Sequence, residues 1–286
     1  MKKNNMYLIG LLCATGLCIL GCEDDDGSVA SSEVVAAEAV SDQQYIEIQN
    51  ATEAITGVSG DAFLTDTGAD KRASTYKITD CVERSSEEVN GRVTITLDYG
   101  EGCELGNGDT VSGVIAITYD QNDSANGAVI LTTLENYRYN DISVTGNASS
   151  IYMANEENGG FIFSSETDLS FEWPDGLTAI SYSLSETETV FAISDEAFDL
   201  YTLVSGNGNT EFSNGDSYGY EITVPLRSEI GCAYIVSGVM VSSENNSTLT
   251  RDYGDGSCDD IATETDDDGN TVTVDLDRDT MDNDNS

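Results

Sequence analysis

From residue 75 onward the chain alternates apolar and polar residues with a period of two, and that alternation leaves room for little except β-strands with one buried face. Val93, Ile95, Leu97 and Tyr99 alternate with Thr94, Thr96 and Asp98, and Val111, Gly113, Ile115, Ile117 and Tyr119 alternate with polar or small neighbours. Leu169, Phe171 and Trp173 run into Pro174-Asp175-Gly176 and then Ile180, Tyr182 and Leu184, the pattern of a hairpin with a proline-initiated turn. Tyr218, Tyr220, Ile222 and Val224 form another strand, and Val272 and Val274 sit in the last one, before Leu276. The polar face is rich in Thr, Ser and acid. The expected fold is therefore mainly β: an antiparallel multi-stranded sheet, as a meander or a sandwich.

One helix precedes the strands. Ser41-Asp42-Gln43-Gln44 matches a capping box, and Ile48, Ala51, Ile55 and Val58 recur at helical spacing until Gly57 and Gly60 interrupt it. The expected helix covers 41–57, with its apolar stripe packed on the sheet.

The amino-terminal segment carries an address. Lys2 and Lys3 precede an apolar run from Met6 to Leu20, which suits a signal peptide and is short for a spanning helix. Ile19-Leu20-Gly21-Cys22 resembles the lipobox of bacterial lipoproteins, with Leu20 bulkier than is usual at its position. The resemblance implies cleavage before Cys22 and acylation of that cysteine, and two or three chains meet the requirement for stable anchoring. Glu23-Asp24-Asp25-Asp26-Gly27 resembles the acidic export signal of surface lipoproteins in the Bacteroidota. These readings divide the chain into a signal peptide (1–21), an acidic flexible tether (22–40), a single β-rich domain with its helix (41–276) and a disordered acidic tail (277–286). They place the protein on the outer membrane, with the cell surface ahead of the periplasmic face.

Charge and residue inventory remove several functions. The formal net charge is −42, and loss of Lys2 and Lys3 takes it to −44. Nucleic acid and anionic headgroups are thereby excluded as partners of the domain. Cations or basic protein patches suit such a field, as does simple adaptation to salt. The chain has no histidine, so Ser-His-Asp and Cys-His catalysis are absent, and so is the commonest zinc ligand.

Cys13 and Cys18 leave with the signal and Cys22 takes lipid, so Cys81, Cys103, Cys232 and Cys258 remain. Four cysteines in an oxidising compartment imply two disulfides with three possible pairings. A thiolate metal site is the alternative, but the spacing has no Cys-x-x-Cys pair. An internal repeat selects among the pairings: Asp98-Tyr99-Gly100-Glu101-Gly102 precedes Cys103, and Asp252-Tyr253-Gly254-Asp255-Gly256-Ser257 precedes Cys258. The repeat favours Cys81–Cys103 and Cys232–Cys258, with the tyrosine buried and the glycines supplying positive φ.

Val224-Pro225-Leu226, Ile235-Val236-Ser237-Gly238-Val239, the Asp-Tyr-Gly-Asp-Gly turn and Cys258-Asp259-Asp260-Ile261-Ala262-Thr263 together resemble uncharacterised cell-envelope lipoproteins of marine and gut Bacteroidota (Flavobacteriia-like). So do Glu135-Asn136-Tyr137 and Val144-Thr145-Gly146. The resemblance covers residues 75–276; it implies location and fold, and no activity.

Three chemistries remain as candidates. Asp266, Asp268 and Asn270 offer hard oxygens for calcium on the turn Asp266-Asp267-Asp268-Gly269-Asn270, though without EF-hand spacing; an ordinary Asp-Gly hairpin is the competing reading. Glu166, Asp168, Glu172, Glu186 and Glu188 on neighbouring strands, with Trp173 as a sugar platform, would suit a carboxylate-pair glycoside hydrolase. Tyr137, Tyr139, Tyr152, Tyr182, Tyr201, Tyr218 and Tyr220 form either an aromatic binding face or cross-strand core. The leading reading is a non-enzymatic binding or structural module of unknown ligand, contacting a membrane by lipid and a glycan or protein by its sheet. A surface glycan-binding or calcium-dependent adhesion protein comes second, and the hydrolase third.

Overall fold

A computed structural model of the chain describes residues 32–67, 81–121, 127–155, 160–193 and 198–276. The signal peptide, Cys22, the acidic run after it and the tail 277–286 lie outside the described residues. The described part holds one helix, α1 (Ser32–Thr67), and fourteen strands. These are β1 (Glu83–Val89), β2 (Arg92–Asp98), β3 (Cys103–Glu104), β4 (Thr110–Asp120), β5 (Ala128–Tyr139), β6 (Ile142–Asn155) and β7 (Gly160–Glu172), followed by β8 (Thr178–Ile193), β9 (Phe198–Phe212), β10 (Ser217–Glu229), β11 (Ile235–Glu244), β12 (Ser247–Asp255), β13 (Ile261–Asp266) and β14 (Thr271–Asp275).

All strands join one antiparallel sheet in the order β1-β2-β4-β5 and onward to β14, with β3 pairing β4 at the side. Of the two architectures left open by the alternation, the meander is the one formed. The inner face of β2 buries Val93, Ile95 and Leu97, and that of β4 buries Ile115, Ile117 and Tyr119, as their spacing requires. Both expected disulfides are present, Cys81–Cys103 and Cys232–Cys258, each with Cα atoms 5.7 Å apart.

The helix is longer than its periodicity predicts at both ends. It begins at Ser32, inside the stretch read as tether, where Glu33, Ala36, Ala37, Glu38 and Ala39 are strong helix formers. Gly57 and Gly60 do not stop it. A Cβ on Gly60 would stand 3.4 Å from the Phe163 ring, an ordinary contact distance, so this stretch of the helix lies against β7. Ile48, Ala51, Ile55, Ala62 and Phe63 face the sheet and are fully or almost fully buried.

The helix lies crosswise on the strands. Asp42 accepts a hydrogen bond from the Tyr218 hydroxyl of β10 at 2.9 Å, Glu47 accepts one from Trp173 Nε1 at 2.9 Å, and Asp66 accepts one from the Tyr119 hydroxyl of β4. Six inter-strand steps of about 4.8 Å separate β4 from β10, roughly 29 Å, which 24 residues of helix cover with some obliquity at about 1.5 Å each. Ring contacts reinforce both ends: Tyr45 stacks on Tyr218 at 4.7 Å, and Phe63 meets Tyr119 edge-on at 5.0 Å.

Beneath the middle of the helix the inner face turns polar. Thr132 and Ser59 share a hydrogen bond of 2.9 Å, Thr167 and Ser183 one of 2.7 Å, Ser165 and Ser185 one of 2.8 Å, and Thr210 and Ser181 one of 2.9 Å. These hydroxyls can sit there because each of the eight finds its partner on the next strand or on the helix.

A Val-Ser/Thr-Gly sequence recurs in β4, β6, β9 and β11, ending at Gly113, Gly146, Gly206 and Gly238. All four glycines have φ between +86° and +153°. A Cβ on each would fall 2.1–2.5 Å from a carbonyl oxygen of the adjacent strand, so only glycine permits these backbones to approach.

Beyond β9 a second, smaller core forms from Leu226, Ile235, Tyr253, Ala262 and Leu276. It includes a buried ion pair in which Arg251 Nε donates to Glu264 at 2.8 Å.

Candidate functional site

The repeated Asp-Tyr-Gly motif is architecture. Asp98 and Asp252 each accept the backbone N–H two residues on, from Gly100 at 2.8 Å and Gly254 at 2.9 Å. That bond turns the chain so that Tyr99 and Tyr253 point into the core. Burial pushes the Tyr99 hydroxyl up to about 12.

The acidic turn nominated for calcium is a hairpin closed by its own side chains. Asp266 accepts from the backbone of Asp268 at 3.0 Å and of Asn270 at 2.8 Å, and from the Asn270 carboxamide at 2.9 Å. Asp267 accepts from the backbone and hydroxyl of Thr248. These bonds hold the Asp266 and Asp267 carboxyls below the usual carboxylate range. Asp266 and Asn270 therefore bond to each other within the turn. Among the described residues no three Asp, Glu or Cys side chains gather as a metal-binding group.

The seven nominated tyrosines divide. Tyr137, Tyr139 and Tyr218 are buried, and Tyr152, Tyr201 and Tyr220 are half-buried. Tyr201 lies under the Arg227 guanidinium, 4.0 Å from its ring centroid. Burial, and then the hydrogen bonds to Asp66 and Asp42, push the Tyr119 and Tyr218 hydroxyls far up. Trp173 is not a sugar platform. It shares the face of Leu169 and Phe171, is 8% exposed, and packs between Phe171 and Phe212.

Tyr182 alone of the seven is exposed, and it centres the candidate site on the outer face of β7–β9. Along β8 it stands between Ile180 and Leu184, which are 62% and 41% exposed. The pairing register sets Asp168 beside Tyr182 and Glu166 beside Leu184 on the β7 side. On the β9 side it sets Asn209 beside Tyr182 and Asn207 beside Leu184. The Tyr182 hydroxyl donates to Glu166 at 3.1 Å, and that bond raises its pKa. The result is an aromatic ring in an apolar row, flanked by carboxylates on one side and carboxamides on the other.

The nominated acids share this outer face. Glu166, Asp168, Glu172 and Glu186 are exposed, and Glu188 is half-buried and accepts from Asn155 at 2.9 Å. Glu186 accepts from the Ser164 hydroxyl at 2.8 Å. These acids therefore stand on an open sheet face in contact with solvent. Sequence reasoning named Tyr182 among the tyrosines but did not single it out, and it missed Asn207 and Asn209. The signal that could have found them was the parity of β9 against β8.

Among the described residues no helix is long and apolar enough to cross a membrane. Compared with known proteins, the chain matches no family model, no curated protein and no solved structure.

Proposed function

We propose that the chain is a lipid-anchored protein of the bacterial cell envelope, acting as a non-enzymatic binding module through the outer face of β7–β9. The observation that carries the binding part is the solvent-facing row Ile180, Tyr182 and Leu184, set among carboxylates and carboxamides on a sheet whose other face is already filled by the helix. Exposed apolar side chains grouped on one strand and rimmed by polar groups are the usual mark of a contact surface. The anchoring part rests on the lipobox ending at Cys22 and the acidic run after it. The outer membrane is the proposed address, with the domain facing the medium.

A glycan is the second reading, favoured by Tyr182 lying between Asp168 and Asn209: a flat ring for a sugar face beside groups that bond hydroxyls. Screening the full chain and its Tyr182→Ala variant on a glycan array tests it. Retained sugars that the variant loses support a glycan, and silence from both removes that ligand. For the anchor, Cys22→Ser is compared with the parent by membrane fractionation and mass. An acyl mass on the parent and its loss in the variant are expected, and identical fractionation with no acyl mass on either overturns the anchor.

A further inference from the structure

Among the described residues β14 ends the sheet, and no other strand pairs its outer rim. The Leu276 N–H donates to the Asp260 carbonyl at 2.7 Å, and the register sets Val274 against Ala262 and Val272 against Glu264. Antiparallel pairs alternate in their bonding, so the even-numbered residues bond β13, and the N–H and C=O of Thr271 and Thr273 point away from it. The even-numbered side chains share one face. Val274 packs on the second core there, while Val272 on the same face is 56% exposed. The opposite rim is different: β1 carries Glu83, Arg84, Glu87 and Glu88 among its seven residues, the usual guard against edge pairing. β14 carries no charge before Asp275.

We propose that β14 is a self-association edge, on which two copies of this chain pair antiparallel about Thr273. Pairing about that residue sets Thr273 opposite Thr273 of the second copy, Thr271 opposite its Asp275, and Val272 opposite its Val274. Each exposed Val272 is thereby covered, and the two smaller cores become continuous across the axis. The occupant is a second copy because this strand complements itself: both valines fall on one face, each meets the other copy's valine, and no two charges face each other in the register. The same geometry brings the Asp266–Asp268 turn of one copy beside the Asp275 end of the other. The pairing therefore works against like charge, and salt strengthens it, since screening shortens from about 10 Å at 0.1 M to about 3 Å at 1 M.

The test uses Thr273→Cys in the full chain. An H-bonded antiparallel pair holds its Cα atoms about 5.5 Å apart, within disulfide reach. A reducible band of twice the chain mass is expected on non-reducing gels, stronger when oxidation is carried out at about 1 M salt than at about 0.1 M. Glu87→Cys on the guarded rim is expected to stay monomeric. Thr273→Pro removes an outward N–H without touching a bond to β13, and is expected to abolish chemical cross-linking of the otherwise unaltered chain while its melting curve is kept. Absence of the Thr273→Cys dimer, an equal dimer from Glu87→Cys, or undiminished cross-linking of Thr273→Pro would each overturn the proposal.

Discussion

Replacing Gly146 by alanine tests whether the recurring Val-Ser/Thr-Gly strands hold the sheet together through backbone approach. Gly146 has φ +125°, and a Cβ there would lie 2.1 Å from the Asp168 carbonyl oxygen and 3.0 Å from Leu169 Cα. Both obstacles are backbone atoms of β7, so no side chain can turn aside; β6 and β7 must part where Gly146 faces Leu169. The backbone conformation costs on the order of 1–3 kcal/mol, and two displaced ladder bonds add about 1 kcal/mol each, giving roughly 4 kcal/mol. Gly215 is the control. Its φ is +103°, but nothing lies within 4 Å of its Cβ position, so alanine there meets only the conformational cost of about 1 kcal/mol. At about 3 °C per kcal/mol for a domain of this size, Tm falls by roughly 12 °C for Gly146→Ala and about 3 °C for Gly215→Ala. Circular dichroism and the fluorescence of Trp173, the sole tryptophan, report the two melts independently. Equal shifts for the two variants would refute the reasoning, because they differ in close approach and not in the sign of φ.

Other expectations follow from the same structure. Removing Cys232–Cys258 by a double alanine substitution releases a loop of sequence separation 26 and costs about 3 kcal/mol, read by urea midpoint; an unchanged midpoint contradicts it. Tyr218→Phe leaves the ring stacked on Tyr45 but takes the hydrogen bond from Asp42, for a loss of about 1–2 kcal/mol in the same assay. On the alkaline side, Tyr45, Tyr99, Tyr119, Tyr218 and Tyr220 are all raised from 10.0 by burial. The unfolded chain releases those protons first, so stability is intact below pH 10 and declines as pH climbs toward the folded values. Absorbance at the tyrosinate band is expected to rise cooperatively with loss of ellipticity; a smooth, independent rise near 10 speaks against it. Chelator is expected to leave Tm unchanged, since Asp266 is already satisfied by Asn270, and a shift of several degrees would restore the calcium reading.

Most of the sheet was legible because its signal is local. Val93, Ile95 and Leu97 declare one face by parity alone, and the duplicated Asp-Tyr-Gly before Cys103 and Cys258 identified both disulfides. The helix limits were misjudged because glycines at 57 and 60 were read as stops, although a single glycine inside a helix costs only about 1 kcal/mol and packing on the sheet outweighs it. Trp173 was misassigned although its parity with Leu169 and Phe171 already pointed inward. The acids that fasten the helix were illegible for another reason. Asp42, Glu47 and Asp66 are three among 53 acidic residues, and nothing in their neighbourhoods names partners 176, 126 and 53 positions away. The outer-face site shares that difficulty, since Tyr182, Asp168 and Asn209 meet only once the register of three strands is fixed.

The helix that leaves the ribosome early is completed late. Its first fastening, Asp42 to Tyr218, spans 176 residues, so nine strands must be laid down before that end has anything to rest on. Contacts of such sequence separation make folding slow. The other end docks far earlier, Asp66 on Tyr119 only 53 residues on, so the helix settles onto the growing sheet from its carboxyl-terminal turn backward.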